Sequence, residues 1–253
     1  MRYFFKISYD GTDFRGFQRQ SNTSNTIQQT LEESIIKLLP QSSKLIACGR
    51  TDKGVHAHNF YFHIDHPHPI GNNVKYKLNR MLPASITLLQ IYPVNDNCHA
   101  RYSAVSRTYQ YFFHLGKHPF LDAYSCRLEA MPDLMLLREA LDICFEFDDF
   151  KYFCRTPLKH ESTICKWKSR PTLKLMNPDR FMIEFNANRF LKSMIRILAI
   201  DLLACANADM TLSVFRHLFE NGRPENQQVK MMPPQGLYLN RVDYNFDLEA
   251  ITT

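Results

Sequence analysis

An order of strand and helix patterns that occurs twice along the chain is the feature that most constrains the fold. In the first half, the alternating segment Arg2–Tyr9 predicts a strand, and Thr26 begins a capping-box pattern before a helical run that Pro40 ends. A strand, a strand, a short helix and a strand follow at 44–48, 55–64, 73–82 and 86–94. This half therefore has the order β-α-β-β-α-β.

The second half has a similar order. Its predicted segments are a strand at 107–115, a helix capped by Asp133, paired strands at 163–175 and 180–187, helices at 190–206 and 212–219, and a strand at 236–244. We therefore expect an α+β fold of two ferredoxin-like halves, residues 1–105 and 106–253. The halves should form an extended, mostly antiparallel sheet with helices on one face and a central cleft that binds the ligand.

Glycine and cysteine usage excludes several classes of protein. Only 8 of the 253 residues are glycine, and neither a G-x-G-x-x-G nor a P-loop motif occurs, so no nucleotide cofactor is expected at those two kinds of site. The seven cysteines never have C-x-x-C spacing, which favours a reducing cytoplasm over a disulfide framework or a thiolate zinc site. The longest apolar run, residues 197–206, is interrupted by Asp201 and is too short to cross a membrane.

Positive charge is concentrated in two blocks. The chain has a net charge of +6, with +5 in residues 1–105 and +8 in residues 151–200, against −4 in residues 106–150 and −3 in residues 201–253. Two basic blocks separated by acidic ones indicate a basic surface, for which a polyanion such as a nucleic acid is the natural partner.

Residues 48–56, Cys-Gly-Arg-Thr-Asp-Lys-Gly-Val-His, form the first candidate site. Two glycines bracket a short loop between predicted strands. If the loop is extended, Arg50 and Asp52 project to the same side, and the guanidinium favours the ionised carboxylate. An ionised, positioned aspartate can act as a nucleophile or base without a metal. The alternative is a surface turn with a weak ion pair.

A cluster of five histidines supports a different class of function. His56, His58, His63, His66 and His68 lie within 13 residues, and the first two share a strand face, which suits a metal-dependent phosphohydrolase or nuclease. The spacing argues against this reading, because four residues separate His58 from the next histidine, which would point to the opposite face.

Aromatic and basic residues alternate in residues 98–111. Arg101 and Arg107 are interleaved with Tyr102, Tyr109 and Tyr111, so the cations could neutralise phosphates while a ring stacks on an unpaired base. The alternative is a core strand whose tyrosines only pack.

A basic stripe is predicted in residues 186–196. On a helix, Arg189, Lys192 and Arg196 share one face. Arg196 also adjoins an apolar segment and should need a carboxylate partner, for which Asp52 and Asp201 are the candidates. The alternative is a solvated basic stripe.

Together these segments resemble the TruA family of tRNA pseudouridine synthases, over nearly the whole chain. The matching segments are Tyr-Asp-Gly-Thr at 9–12, Gly-Phe-Gln-Arg-Gln at 16–20, Gly-Arg-Thr-Asp-Lys-Gly-Val-His-Ala at 49–57, Leu-Asn-x-x-Leu-Pro at 78–83, His-Ala-Arg-Tyr-Ser-Ala at 99–104, Arg-Thr-Tyr-Gln-Tyr at 107–111, Phe-Leu-x-x-Met-Ile-Arg at 190–196 and Gly-Leu-Tyr-Leu at 236–239. The order of the set is more specific than any one member, and it makes His56 part of a motif and not a metal ligand.

The resemblance implies an enzyme that isomerises uridine to pseudouridine in the anticodon arm of tRNA, typically at positions 38–40, with no metal and no organic cofactor. Asp52 matches the essential aspartate, Arg50 the arginine that helps to extrude the target base, Tyr109 the tyrosine that stacks on the uracil, and Arg196 the arginine that pairs with the aspartate. The matched segments also make Lys53, Arg101, Arg107 and Leu191 candidate substrate-binding residues. The family further implies a homodimer, and the chain is expected in the cytoplasm.

Several positions depart from the family's usual residues and indicate a divergent member. They are Phe17, Lys53, Ser85, Cys98, Glu146, Lys192 and Ser193. None removes a catalytic position, but Lys53 places a second cation beside Asp52. A catalytically silent tRNA-binding protein remains an alternative, as does the metal-dependent phosphohydrolase.

Overall fold

The computed structural model describes residues 1–155, 162–224 and 228–248. Within these residues the chain forms five α-helices and nine strands, and most of the strand pairs are antiparallel, so the predicted α+β fold class is confirmed. The chain divides into two compact units. The first comprises Met1–Arg107 with Tyr238–Thr253, and the second comprises Thr108–Leu237.

The first unit follows the predicted β-α-β-β-α-β order. Its elements are β1 (Arg2–Tyr9), α1 (Ile27–Leu38), β2 (Ile46–Ala47), β3 (His56–Asp65), α2 (Val74–Met81) and β4 (Ile86–Val94). Strand β1 pairs antiparallel with both β3 and β4, placing Phe5 opposite Phe62 and Ile91. The Thr26 side chain accepts a hydrogen bond from the Gln29 N–H, which confirms the predicted cap of α1.

The second unit contains most of β5 (Ala104–Leu115), followed by β6 (Cys126–Leu128), α3 (Leu134–Phe145), β7 (Trp167–Asn177), β8 (Arg180–Ala187), α4 (Met194–Ala206) and α5 (Leu212–Asn221). Its strand order is β5-β8-β7, and the short β6 pairs parallel with β5. The rings of Phe113 and Phe181 stack in the core with centroids 4.9 Å apart. Asp133 caps α3 as predicted, because its carboxylate accepts hydrogen bonds from the N–H groups of Met135 and Leu136.

The last strand, β9 (Leu237–Tyr244), differs from the predicted division of the chain. The sequence places it in the half 106–253, but from Tyr238 onward it belongs to the first unit. The physical reason is its parallel pairing with β3, in which His56 lies opposite Tyr238 and Ala57 opposite Leu239.

The helix predicted over 190–206 begins later than expected. Ser193 has a φ of 61°, in the left-handed region, and helical structure starts only at Met194. The prediction that Arg189, Lys192 and Arg196 share one helix face is therefore wrong, because only Arg196 lies on the helix.

Two further predictions concern membranes and thiols. No helix in the described ranges is long and apolar enough to cross a membrane. All seven cysteines are unpaired, which agrees with the expectation that the chain has no disulfide framework.

Candidate active site

Asp52 lies on a tight loop, residues 48–55, that joins β2 to β3. Its side chain is half-buried, whereas those of Arg50 and Lys53 on either side are exposed. The Val55 N–H donates to the Asp52 carbonyl at 3.2 Å, and Gly54 turns the chain with a φ of 76°. The loop thus presents one carboxylate between two cations, and of the two glycines that bracket it in the sequence, Gly54 forms the turn.

Buried aromatic residues in the core of the first unit anchor the Asp52 loop. Thr51, which is 7% exposed, shares a 2.7 Å hydrogen bond between its hydroxyl and that of Tyr9. The Phe17 N–H donates to the Thr51 carbonyl at 3.1 Å. The rings of Tyr9, Phe17 and Phe60 pack together, with Phe17 stacked on Phe60 at 4.2 Å. The residue before Asp52 is therefore anchored in the core of the first unit.

Gly16 closely approaches the backbone of this loop around Asp52. It has a φ of 106°, and a Cβ at this position would lie 3.1 Å from the Thr51 carbonyl oxygen, 3.3 Å from the Lys53 nitrogen and 3.4 Å from the Asp52 carbonyl carbon. Glycine is required here both for its backbone conformation and for the space.

His56, the last residue of the motif, is buried against the Tyr9-Asp-Gly-Thr segment. Its Nδ1 lies 3.1 Å from a carboxylate oxygen of Asp10 and accepts a 3.2 Å hydrogen bond from the Gly11 N–H. Its ring stacks on Tyr238 with centroids 4.6 Å apart. His56 therefore joins β1, β3 and β9 at the start of the strand that follows the loop.

The other histidines of the cluster do not converge with His56 on a common point. His58 contacts Asn240 at the surface, His63 Nδ1 accepts from the Ala100 N–H at 3.1 Å, and His66 Nδ1 lies 2.8 Å from the His68 carbonyl. No group of three or more histidine, cysteine, aspartate or glutamate side chains in the described part of the chain is arranged to hold a metal ion. The geometry thus gives no support to the phosphohydrolase reading.

Arg107 lies where the sequence suggests a phosphate contact, but its guanidinium is engaged with the backbone. One nitrogen donates to the carbonyls of Cys48 at 3.0 Å and Arg101 at 2.7 Å, and the other donates to Ala104 at 3.1 Å. Arg107 thereby ties the first residue of the Asp52 loop to the segment that contains Arg101. Arg101 itself is exposed, with its guanidinium carbon 5.7 Å from the centre of the Tyr102 ring.

In the second unit, the two tyrosines of β5 differ in environment. Tyr111 is fully buried, and its hydroxyl donates to the Pro233 carbonyl at 2.6 Å, while burial raises the pKa of its phenol well above the usual value. Tyr109 is half-buried, and its ring meets Phe190 edge to face with centroids 5.2 Å apart. The packing interpretation is thus right for Tyr111, whereas Tyr109 keeps part of its ring accessible.

Arg196 lies in the first turn of α4. Its Nε donates to the Met232 carbonyl at 2.8 Å, and the Met232 N–H donates back to the Arg196 carbonyl at 3.0 Å. Leu191 is half-buried, and its carbonyl accepts the Met194 N–H at 3.2 Å at the entry to the helix.

Asp201 is not the partner of Arg196, although the sequence made it a candidate. Both of its carboxylate oxygens accept hydrogen bonds from the guanidinium of Arg223, one of them at 3.1 Å. Burial raises the pKa of Asp201, and the contact with Arg223 opposes that rise. Sequence reasoning missed Arg223 because 22 residues separate the pair, so no local spacing rule connects them.

Comparison with known proteins decides the family. The family model for tRNA pseudouridine synthase matches residues 7–103 and 147–245. The chain is 33% identical to tRNA pseudouridine synthase A of Parabacteroides distasonis over 249 residues, which cover 98% of this chain and 97% of that protein. It is 32% identical to the tRNA pseudouridine synthase A of Bacteroides thetaiotaomicron, over 98% of this chain and 92% of that protein.

The chain belongs to the tRNA pseudouridine synthase family. The resemblance to the TruA family is thereby confirmed, and the enzyme is an isomerase that acts on tRNA. Asp52 and Arg196 lie inside the two segments that the family model matches, whereas Arg107 and Tyr109 lie between them.

Proposed function

We propose that this tRNA pseudouridine synthase isomerises uridines of the anticodon arm, at the family-typical positions 38–40, with Asp52 as the catalytic residue. The presentation of Asp52 is the observation that carries the proposal. A half-buried carboxylate sits on a loop whose preceding residue is bonded to the core through Tyr9 and Phe17. A carboxylate held in this way is positioned to react without the reorganisation that a flexible side chain would require.

The proposed reaction needs no metal and no organic cofactor. Asp52 attacks or deprotonates the sugar–base unit, the bond between N1 and C1′ breaks, the uracil turns, and C5 bonds to C1′. C5 loses a proton and N1 gains one, so the product is an isomer of the substrate. Tyr109 is proposed to stack on the uracil with the accessible part of its ring.

The target base must leave the RNA stack before Asp52 can reach it, at a cost of a few kcal/mol. Arg50 is exposed beside Asp52, and its cation is proposed to help extrude the base. Lys53, Arg101, Arg196 and Leu191 are proposed to bind the substrate. Arg107 was predicted to do the same, but its three carbonyl contacts favour a positioning role. We further propose a homodimer located in the cytoplasm.

A direct test is to incubate the purified protein with unmodified tRNA and to map pseudouridine. The wild type should form product at anticodon-arm uridines, and Asp52→Asn should form none while tRNA affinity stays within about tenfold, a change of roughly 1.4 kcal/mol. Asp209→Asn is a matched control, because Asp209 is an exposed aspartate outside the loop.

The outcomes separate the alternatives. Product from Asp52→Asn would refute the assignment of Asp52. Tight tRNA binding by a wild type that forms no pseudouridine would instead select the catalytically silent tRNA-binding protein.

A further inference from the structure

The turn at residues 99–103 displays a large aromatic ring to solvent. Tyr102 is 77% exposed, although Ala100 in the same turn is fully buried. The His99 ring lies against it with centroids 4.4 Å apart and planes 32° from parallel, and the guanidinium carbon of Arg101 lies 5.7 Å from its centre. The turn therefore presents an aromatic surface together with a positive charge.

Internal hydrogen bonds fix the shape of this turn. His99 Nδ1 accepts the N–H groups of both Arg101 and Tyr102, at 3.1 and 3.2 Å. The Ser103 N–H donates to the His99 carbonyl, and the Ser103 hydroxyl accepts from the His99 N–H, both at 2.9 Å. Burial, together with nearby arginines, lowers the pKa of His99, so at neutral pH Nδ1 is available as an acceptor.

Four side chains from elsewhere in the first unit hold the backbone of the same segment. Arg2 donates to the Cys98 carbonyl at 2.9 Å, and His63 accepts the Ala100 N–H at 3.1 Å. The hydroxyl of Tyr244 donates to the Ala100 carbonyl at 2.8 Å. Arg107 bonds to the carbonyls of both Arg101 and Cys48, which connects the turn to the base of the Asp52 loop.

Because the Tyr102 ring is exposed, packing in the core does not explain why it lies on a turn held by so many hydrogen bonds. A fixed aromatic face costs little conformational entropy when a partner binds, and its stacking on a base is tolerant of sequence. The adjacent cation, in a segment of the chain that carries a net charge of +5, favours an anionic partner.

We propose that residues 99–103 form a stacking platform for an unpaired nucleotide of the tRNA substrate, in which Tyr102 stacks on the base and Arg101 contacts a neighbouring phosphate. This inference rests on the proposed function, because it takes tRNA as the ligand. It adds to that function a contact outside the residues that carry out the isomerisation.

The test measures the affinity of the full chain for an anticodon-arm hairpin at several salt concentrations. Tyr102→Ala should weaken binding by about 5- to 150-fold, the range that corresponds to the loss of one stacked base. Because the substitution removes no charge, the slope of log affinity against log salt should not change, whereas Arg101→Ala should reduce that slope by about one unit. Tyr102→Phe keeps the ring and should bind like the wild type.

Two controls isolate stacking. Phe120→Ala removes a ring that is 82% exposed in the acidic block 106–150 and should leave affinity unchanged. A fully paired duplex of the same length has no unpaired base to stack, so Tyr102→Ala should bind it as the wild type does. Wild-type affinity of Tyr102→Ala for the hairpin, or equal losses for hairpin and duplex, would overturn the platform.

These outcomes are distinguishable from failure of the proposed function. If the wild type forms pseudouridine but Tyr102→Ala binds tRNA normally, only the platform is refuted. If Tyr102→Ala loses affinity for the hairpin but the wild type forms no pseudouridine, the platform stands and the isomerase mechanism is refuted.

Discussion

Gly16→Ala should slow the isomerisation without removing any group that takes part in it. The substituted residue would place a Cβ 3.1 Å from the Thr51 carbonyl oxygen and 3.4 Å from the Asp52 carbonyl carbon. Contacts this short require the neighbouring backbone to yield by a few tenths of an ångström. The atoms that must yield belong to Asp52 and the residues on either side of it.

Two costs follow from this geometry. A side chain at a φ of 106° is strained, and the left-handed region costs an alanine about 1–2 kcal/mol, so the free energy of unfolding should fall by about that amount. A displacement of about 1 Å at a catalytic group costs roughly 100-fold in rate. A shift of a few tenths of an ångström at Asp52 should therefore lower the single-turnover rate by about 4- to 10-fold, while tRNA affinity is retained.

The assay combines urea unfolding with single-turnover pseudouridine formation at saturating protein. Gly49→Ala is the matched control, because its Cβ would meet no atom within 4 Å and its φ is not in the left-handed region. It should change stability by less than about 0.5 kcal/mol, as do most surface substitutions, and should react at the wild-type rate. A wild-type rate for Gly16→Ala, at reduced stability, would refute the conclusion that Gly16 sets the position of Asp52.

Two other predictions concern acid stability and salt dependence. His63 is 1% exposed, and burial lowers its pKa from 6.5 to about 4, so the unfolded chain takes up a proton at this residue before the folded chain does. The contribution of His63 to stability is thus complete above pH 6.5, and about 3 kcal/mol of it is lost between pH 6.5 and pH 4. Urea unfolding as a function of pH should show this loss, and His63→Asn should reduce it. A pH profile that His63→Asn leaves unchanged would contradict the assignment. Lys53→Ala should reduce the salt slope of tRNA binding by about one unit if Lys53 contacts a phosphate, and an unchanged slope would leave it a solvated side chain.

Local patterns in the sequence predicted most of the secondary structure. Strand β1 matches its prediction of Arg2–Tyr9, strand β8 matches Arg180–Ala187, and the caps at Thr26 and Asp133 are in place. These features depend on residues within one turn or one strand of each other, so the sequence alone contains the information. The start of α4 could not be predicted in this way, because nothing in the local pattern requires the left-handed conformation of Ser193.

In the candidate site, too, contiguous residues could be predicted from the sequence and long-range contacts could not. The motif around Asp52 was recognisable because its residues are contiguous, and the family comparison supports that recognition. The contacts that hold the motif are long-range. Tyr9 reaches Thr51 across 42 residues, and Arg107 reaches Cys48 across 59. A spacing argument counts Arg107 as one more cation for the RNA, and only tertiary structure shows that its guanidinium binds carbonyls.

The same correction applies to the number of basic residues in the segment 1–105. Its 12 lysines and arginines include Arg2 and Arg19, yet Arg2 is paired with Asp65 at 2.8 Å and Arg19 lies 3.2 Å from Glu32. Each phosphate contact contributes at most about one unit to the salt slope, and a cation that is already paired contributes less. The number of basic residues is therefore an upper limit on the salt slope of tRNA binding. Exposed cations that adjoin the Asp52 loop or the turn at 99–103, such as Arg50, Lys53 and Arg101, should account for a larger share of that slope than their number suggests.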